Sequence, residues 1–563
     1  MNDYPRAISS YQNLAVAAPG DTDAQLTLGI LYEDTGAYQK AREQYAAVLK
    51  ADPQSVEALW RMGGVEIMSD NPQGSLDYLN RGLSLSIQQG NDEKKARILQ
   101  AIGIAYRLMN KPEEAMRNYK EALDNERRIG DKRGVAASLN EMAQVYALLG
   151  KGDLAVASFN EAMQVRKEIG AKKEIGDTLM DLGNFYEERG QHEQALKMLG
   201  ESLQIQRDSD DKPYQAVLLN SIGSVYLTSG QYDNALTYFQ QALQLREELK
   251  VPGQIGETVY NLGQTNAKLG QYDEALKQYL RALDLYRSGG DKRGAAIASY
   301  SMGSLFGRQG RYGAALSSEE DALKIFNELN DRSSMMADIL GGHGRTLAET
   351  GREQEAQKTL DEALNLAREL KSQPLVAQAL NFQGDAALYR GDFKSAGTLY
   401  GQALQVASRT KDRAQVLEAK IGLANVAGKE GRTREATSSF KSLAQEADGL
   451  GMKDLSVECS VGLAEALVNA KDYSRARQEL EPALSKAEKL GLKTLLVKAH
   501  YLLATVLRET GNGADATVQY AAAVRLLDEI RKETGAEKVI ERADLKPIYE
   551  QSSRGSQGNK NNT

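Results

Sequence analysis

The 563-residue chain is 41% hydrophobic and 26% charged, enough apolar material for a large core, and its formal charge of −7 offers no basic footprint for nucleic acid. One cysteine, Cys459, excludes an internal disulfide framework and any multi-cysteine metal site. No run of about 18 apolar residues occurs, so no membrane insertion is expected, and the start MNDYPRAISSYQNL lacks the basic region and apolar run of a secretory signal.

In chain order, residues 1–21 read as the second helix of a repeat whose first helix is missing, with an unusual single helix as the alternative. From residue 22 a period takes over. A small residue recurs at Ala7, Ala41, Ser75, Ala115 and onward to Ala516, in steps of 34, 34 and then 40, with one step of 41 between Ala315 and Ala356. Twelve residues before it stands a second small column: Gly29, Gly63, Gly103, Ala143, Gly183, Gly223, Gly263, Gly303, Gly344 and Gly384, then Ala424, Ala464 and Ala504. Four residues after it comes a bulky side chain such as Tyr45, Tyr119, Phe159 or Tyr400, and only Glu319 breaks that column.

Glycine inside a helix costs roughly 0.5–1 kcal/mol relative to alanine, so one that recurs must gain something. The gain is close approach: a bare stretch of one helix can lie against the alanine of its partner, with the aromatic filling the space beside them. A helix pair of this kind cannot bury its apolar face alone, so pairs stack and share a continuous core.

Residues 22–89 hold two short repeats, and Pro19 and Pro53 close the second helices in the 34-residue steps. Residues 90–536 hold eleven repeats of about 40 residues, whose second helices run on to Gly90, Gly130, Gly170, Asp210, Lys250, Gly290, Asn330, Lys371, Lys411, Gly451 or Gly491. Glycine and asparagine tolerate the left-handed conformation that closes a helix. The extra residues lengthen both helices by up to about one turn. Residues 537–551 read as a capping helix with a proline break, and residues 552–563, polar and aperiodic, as a disordered tail.

The small columns, an aromatic three residues after the glycine (Tyr32, Tyr106, Tyr146, Tyr186, Tyr226, Phe306) and the later alanine together resemble the tetratricopeptide repeat. The longer version is similar to repeats of bacterial signalling proteins, kinesin light chains and spindle-orientation adaptors. The resemblance implies an all-α fold, a right-handed superhelical α-solenoid of stacked antiparallel helix pairs, and a role as a protein or peptide receptor. It also admits a second reading, the regulatory or ligand-sensing arm of a bacterial signalling protein whose kinase, transcription-activator or effector-protease domain lies upstream. The compartment stays open, with the cytoplasm favoured.

A search for chemistry finds no catalytic constellation and no cofactor motif. His192-Glu193 begins a zinc-protease pattern, but Leu196 stands where the second histidine is required. Gly341-Gly342-His343-Gly344 has no preceding strand and no lysine–serine pair, so it reads as a weak point in a helix rather than a phosphate cradle. Cys459 reads as a buried small hydrophobe.

Positions flanking the glycine column on the first helices point into the expected groove: Asn140, Gln144, Asn184, Glu187, Asn220, Asn261, Gln264, Arg345, Asn381 and Asp385. Asparagine offers both donor and acceptor to the backbone of an extended peptide, and it is a mediocre helix former, so its mid-helix recurrence asks for a cause. The bland alternative is that these amides bridge neighbouring repeats or are merely exposed.

Overall fold

A computed structural model describes residues 4–18, 20–410 and 412–557; the expectations for Pro19 and Lys411 fall outside them. Among the described residues there are 28 α-helices, one 3₁₀ turn and no strand. The chain is an α-solenoid of antiparallel helix pairs, and it divides into two compact units, Met1–Val225 and Tyr226–Thr563.

Helix length follows repeat length. The first short repeat pairs Thr22–Asp34 with Tyr38–Ala51, of 13 and 14 residues. A long repeat such as Asp92–Leu108 with Pro112–Ile129 has 17 and 18. Each gains about one turn. The expected closing residues adopt positive φ, from Gly90 at 62° to Gly491 at 68°, and Asp210, Lys250 and Lys371 take the same conformation at 54–55°. Every repeat uses a second left-handed residue between its own two helices, for example Gly270 and Gly310. The GDKRG turns show why their glycines recur: the Asp131 carboxylate accepts from Gly134 N at 2.9 Å, and a Cβ at Gly134 would meet that same side chain at 2.7 Å.

The glycine column does its work differently from expectation. The aromatic ring lies on the glycine itself rather than beside it. A Cβ at Gly103 would stand 2.5 Å from the Tyr119 ring, and one at Gly384 would stand 2.6 Å from the Tyr400 ring. Tyr45, Tyr119, Phe239 and Tyr400 are consequently among the most deeply buried large side chains, and Ala115, Ala275 and Ala436 have no exposure at all. At two of the column alanines, Ala424 and Ala464, a glycine two residues earlier serves the ring of the preceding repeat. Gly422 lies against Tyr400, and a Cβ at Gly462 would meet the Phe440 ring at 2.6 Å. Tyr400 is thus held between glycines of two first helices.

Gly341 to Gly344 form no weak point. The helix Ser334–Glu349 runs through them, with the rings of Phe382 and Tyr300 and the side chain of Leu360 packed on Gly341, Gly342 and Gly344. The C-terminal expectation also needs correction. A 3₁₀ turn at Val539–Glu541 precedes a helix over Lys546–Ser556, which Pro547 opens rather than breaks. Residues 552–556 are therefore helical, because Ser552 is fully buried and Gly555 packs under the Tyr520 ring; 558–563 lie outside the described residues.

Gly103→Leu should lower stability in urea unfolding by about 1–3 kcal/mol or more, because it forces the Tyr119 ring off its seat. Gly200→Ala, at an exposed mid-helix glycine with open space around it, should instead raise stability by roughly 0.5–1 kcal/mol.

Candidate functional site

In the unit Met1–Val225, the inward amides make contacts between repeats. Asn140 Nδ2 and Gln144 Nε2 both donate to Asp181 Oδ2 on the next first helix, at 2.7 and 3.1 Å. Burial raises the Asp181 carboxyl pKa, while these two amides favour its ionised form. Asn140 keeps a buried Oδ1 without a partner. Asn184 and Glu187 are half-buried on the same helix as Asp181, and Ser224 hydrogen-bonds the Glu187 carboxylate. Asn220 is buried.

In the unit Tyr226–Thr563, Asn261 is half-buried and Gln264 donates to the Tyr260 hydroxyl at 3.0 Å, which also bonds Ser301 Oγ at 3.0 Å. Arg345, Asn381 and Asp385 come together elsewhere, on the wall of a chamber of about 130 Å³. First helices from Lys292–Arg308 to Lys493–Glu509 line it.

The chamber exists because this unit closes on itself. Lys453 Nζ donates to Leu269 O at 2.7 Å, Lys493 N to Gln309 O at 3.3 Å, and Gly313 N to Glu533 Oε2 at 2.9 Å. Tyr312 and Thr494 share a hydroxyl–hydroxyl bond of 2.9 Å. The last segment completes the closure. Arg542 Nη1 donates to Glu349 O at 3.0 Å, its guanidinium lies 3.7 Å above the Tyr389 ring, and Ala543 N donates to Tyr389 O at 2.9 Å. A bare turn permits this approach: a Cβ at Gly351 would stand 2.7 Å from Lys538 O.

The wall is charged with both signs. Arg308 pairs with Asp454; Arg345 lies 3.3 Å from Glu349 and 3.6 Å from Asp385. Arg542 and Lys498 share Asp544 at 2.9 and 2.8 Å, and these two cations hold its carboxyl well below the usual range despite burial. Glu458 is the opposite case: burial, then the nearby Asp385, push its carboxyl up to about 7. Burial likewise raises Glu418.

Sequence reasoning found three wall residues next to the small column and missed those six residues before it, Glu418, Glu458 and Lys498. Their signal was a polar, mostly charged column at the 40-residue period, continued backward by Gln378 and Asp338, where Gln378 Nε2 donates to Asp338 Oδ1 at 3.0 Å. It also missed a buried polar cluster behind the broken aromatic column. Glu319, 1% exposed, accepts from Thr346 Oγ1 at 2.9 Å and meets His343 Nδ1 at 3.2 Å. Burial raises the Glu319 pKa even so. Cys459 is fully buried, and burial pushes its thiol up. Among the described residues no group of three His, Cys, Asp or Glu side chains could hold a metal, and no helix is long and apolar enough to cross a membrane.

Stacked helix pairs with these glycine and alanine seats define a tetratricopeptide-repeat protein, a class of interaction scaffold that takes protein partners. Residues 216–529 match the model of the MalT-like TPR region, and the chain belongs to that family. Tetratricopeptide repeat models match residues 1–56, 55–128 and 174–248. No curated protein matches. Similar solved structures include the crystal structure of MamA, at 24% identity over 30% of this chain and 92% of that one with a TM-score of 0.26. Another is BtubC (BKLC) from P. vanneervenii, at 16% identity over 38% and 90% with a TM-score of 0.32.

Arg542→Ala leaves Asp544 with Lys498 alone, so unfolding should show a loss of about 3 kcal/mol or more, and hydrogen exchange should rise over 533–545. A raised carboxyl pKa stabilises the fold below the unfolded pKa, and that contribution is lost as pH rises through the folded value. The parent should therefore melt at a lower temperature at pH 8 than at pH 5.5, and Glu458→Gln should lose less across that window, read by calorimetry.

Proposed function

We propose that the chain is a non-catalytic scaffold that holds protein or peptide segments on the inner faces of its first helices. The supporting observation is the placement of Asn184 and Glu187. Both are half-buried while the alanine and aromatic columns of the same repeat are sealed. Half-buried amides and carboxylates of this kind can pair with the N–H and C=O groups of an extended chain whatever its sequence. Asn140 and Gln144 take the supporting role, since their donors already hold Asp181.

A ligand-sensing or regulatory arm, acting on a kinase, transcription-activator or effector-protease domain, is the second reading. The chamber of Tyr226–Thr563 favours it, because a concave pocket with convergent polar groups suits a small molecule better than an extended segment.

Peptides selected from a random display library against the full chain provide the test. The paired substitution Asn184→Ala with Glu187→Ala should weaken the selected peptides by about tenfold, or about 1.4 kcal/mol. The melting temperature should stay within a few degrees, since both side chains lie outside the core. Unchanged affinity would remove the inner face from the binding surface, and a large loss of stability would make these side chains structural.

A further inference from the structure

The cations of the chamber wall are all engaged: Arg308 by Asp454, Arg345 by Glu349 and Asp385, and both Lys498 and Arg542 by Asp544. The carboxylates left without a hydrogen bond or ion pair are Glu418 and Glu458, one repeat apart on the helices Arg413–Lys429 and Lys453–Asn469. A third acceptor stands with them on the wall. Asn381, 2% exposed, spends its amide N–H groups on Gln415 O at 3.1 Å and Gln415 Oε1 at 2.9 Å, and its Oδ1 has no partner. Glu418 and Glu458 are half-buried, and a buried acceptor left unfilled, as at Asn381, is costly.

We propose that this chamber binds a small organic amine carrying two cationic nitrogens, a diamine or a guanidinium-bearing amine, which bridges Glu418 and Glu458 and donates to Asn381 Oδ1. Each of the four wall cations already has a carboxylate partner, whereas Glu418 and Glu458 have none, so the charge left to be paired is negative. An anion would meet two carboxylates that have no hydrogen bond or ion pair, and a neutral polyol would bring them no further positive charge. A bare metal ion lacks ligands, as no three candidate side chains converge. The chamber, about 130 Å³, is far larger than the roughly 10–15 Å³ that one water needs by the same measure, and closure by the 533–545 segment favours a free small molecule over a polypeptide.

Protonation competes with such a ligand. Glu458 faces Asp385 and Arg345 from two preceding first helices, Lys498 from the following one and Asp454 from its own, and Glu418 lines the same chamber. Burial and Asp385 outweigh the two cations, so its carboxyl ionises only near neutrality. Aliphatic amines stay charged up to about pH 10, so amine affinity should rise between pH 6 and pH 8.

The inference rests on the ligand-sensing reading, and calorimetric titration with melting of the full chain tests both. The probes are 1,4-diaminobutane and agmatine, against 1,4-butanediol and succinate. Both amines should bind and raise the melting temperature by several degrees near saturation, whereas the diol and the dianion should not. Glu418→Gln and Glu458→Gln should each weaken the amines by about tenfold, in variants that melt no lower than the parent when unliganded. Undiminished amine binding in the double variant would overturn the site. A shift from the diol or succinate with none from the amines would overturn the ligand class and leave a sensing chamber standing, while no response to any of the four would count against both.

Discussion

The contact that governs this protein is a ring resting on bare backbone. In most repeats the second helix offers a large side chain, and the first helix offers a place with no Cβ to obstruct it, as with Tyr119 on Gly103 and Tyr400 on Gly384. The helix axes can then approach closely enough for the neighbouring alanines to vanish from solvent. The glycine lowers helix propensity, and packing more than offsets that loss. Because the requirement is steric, it is transferable. Where Ala424 occupies the usual column, Gly462 of the next first helix provides the bare seat for the Phe440 ring.

What could be read from the sequence follows from that physics. Nearest-neighbour contacts repeat with the chain, so the small columns, the bulky column and the left-handed closing residues such as Gly130 and Lys250 were legible from spacing alone. The break at Glu319 was visible, but its partners His343 and Thr346 lie in the next repeat and carry no column of their own. The bonds that close the second unit were invisible for a stronger reason. Lys453 to Leu269 and Arg542 to Glu349 span 184 and 193 residues and occur once, so no period announces them. The helix through residues 552–556 was missed because its composition is polar; burial of Ser552 and the seat of Gly555 under Tyr520 depend on tertiary packing.

The candidate site was half legible on the same grounds. Arg345, Asn381 and Asp385 flank the small column and could be placed on an inner face. Their neighbours Glu418, Glu458 and Lys498 share a period, yet a charged column reads as a solvated face until the unit is seen to close around it. The two units thus present different inner chemistry. One has amides and carboxylates already tied across repeats through Asp181, and the other has a concave wall where paired and unpaired charges coexist.

Closure of the second unit changes how it can come apart. An open array of repeats unravels piecemeal from either end, since each hairpin is held only by its neighbours. Here the segment around Arg542 is bonded to Glu349 and Tyr389, so removing the terminal hairpins also strips support from repeats in the middle of the chain. The entropy of closing so long a loop grows only slowly with its length, so a few such bonds can couple distant hairpins. Tyr226–Thr563 is therefore built to melt as one cooperative block, in the manner of a globular domain, despite being assembled from a linear run of near-identical parts.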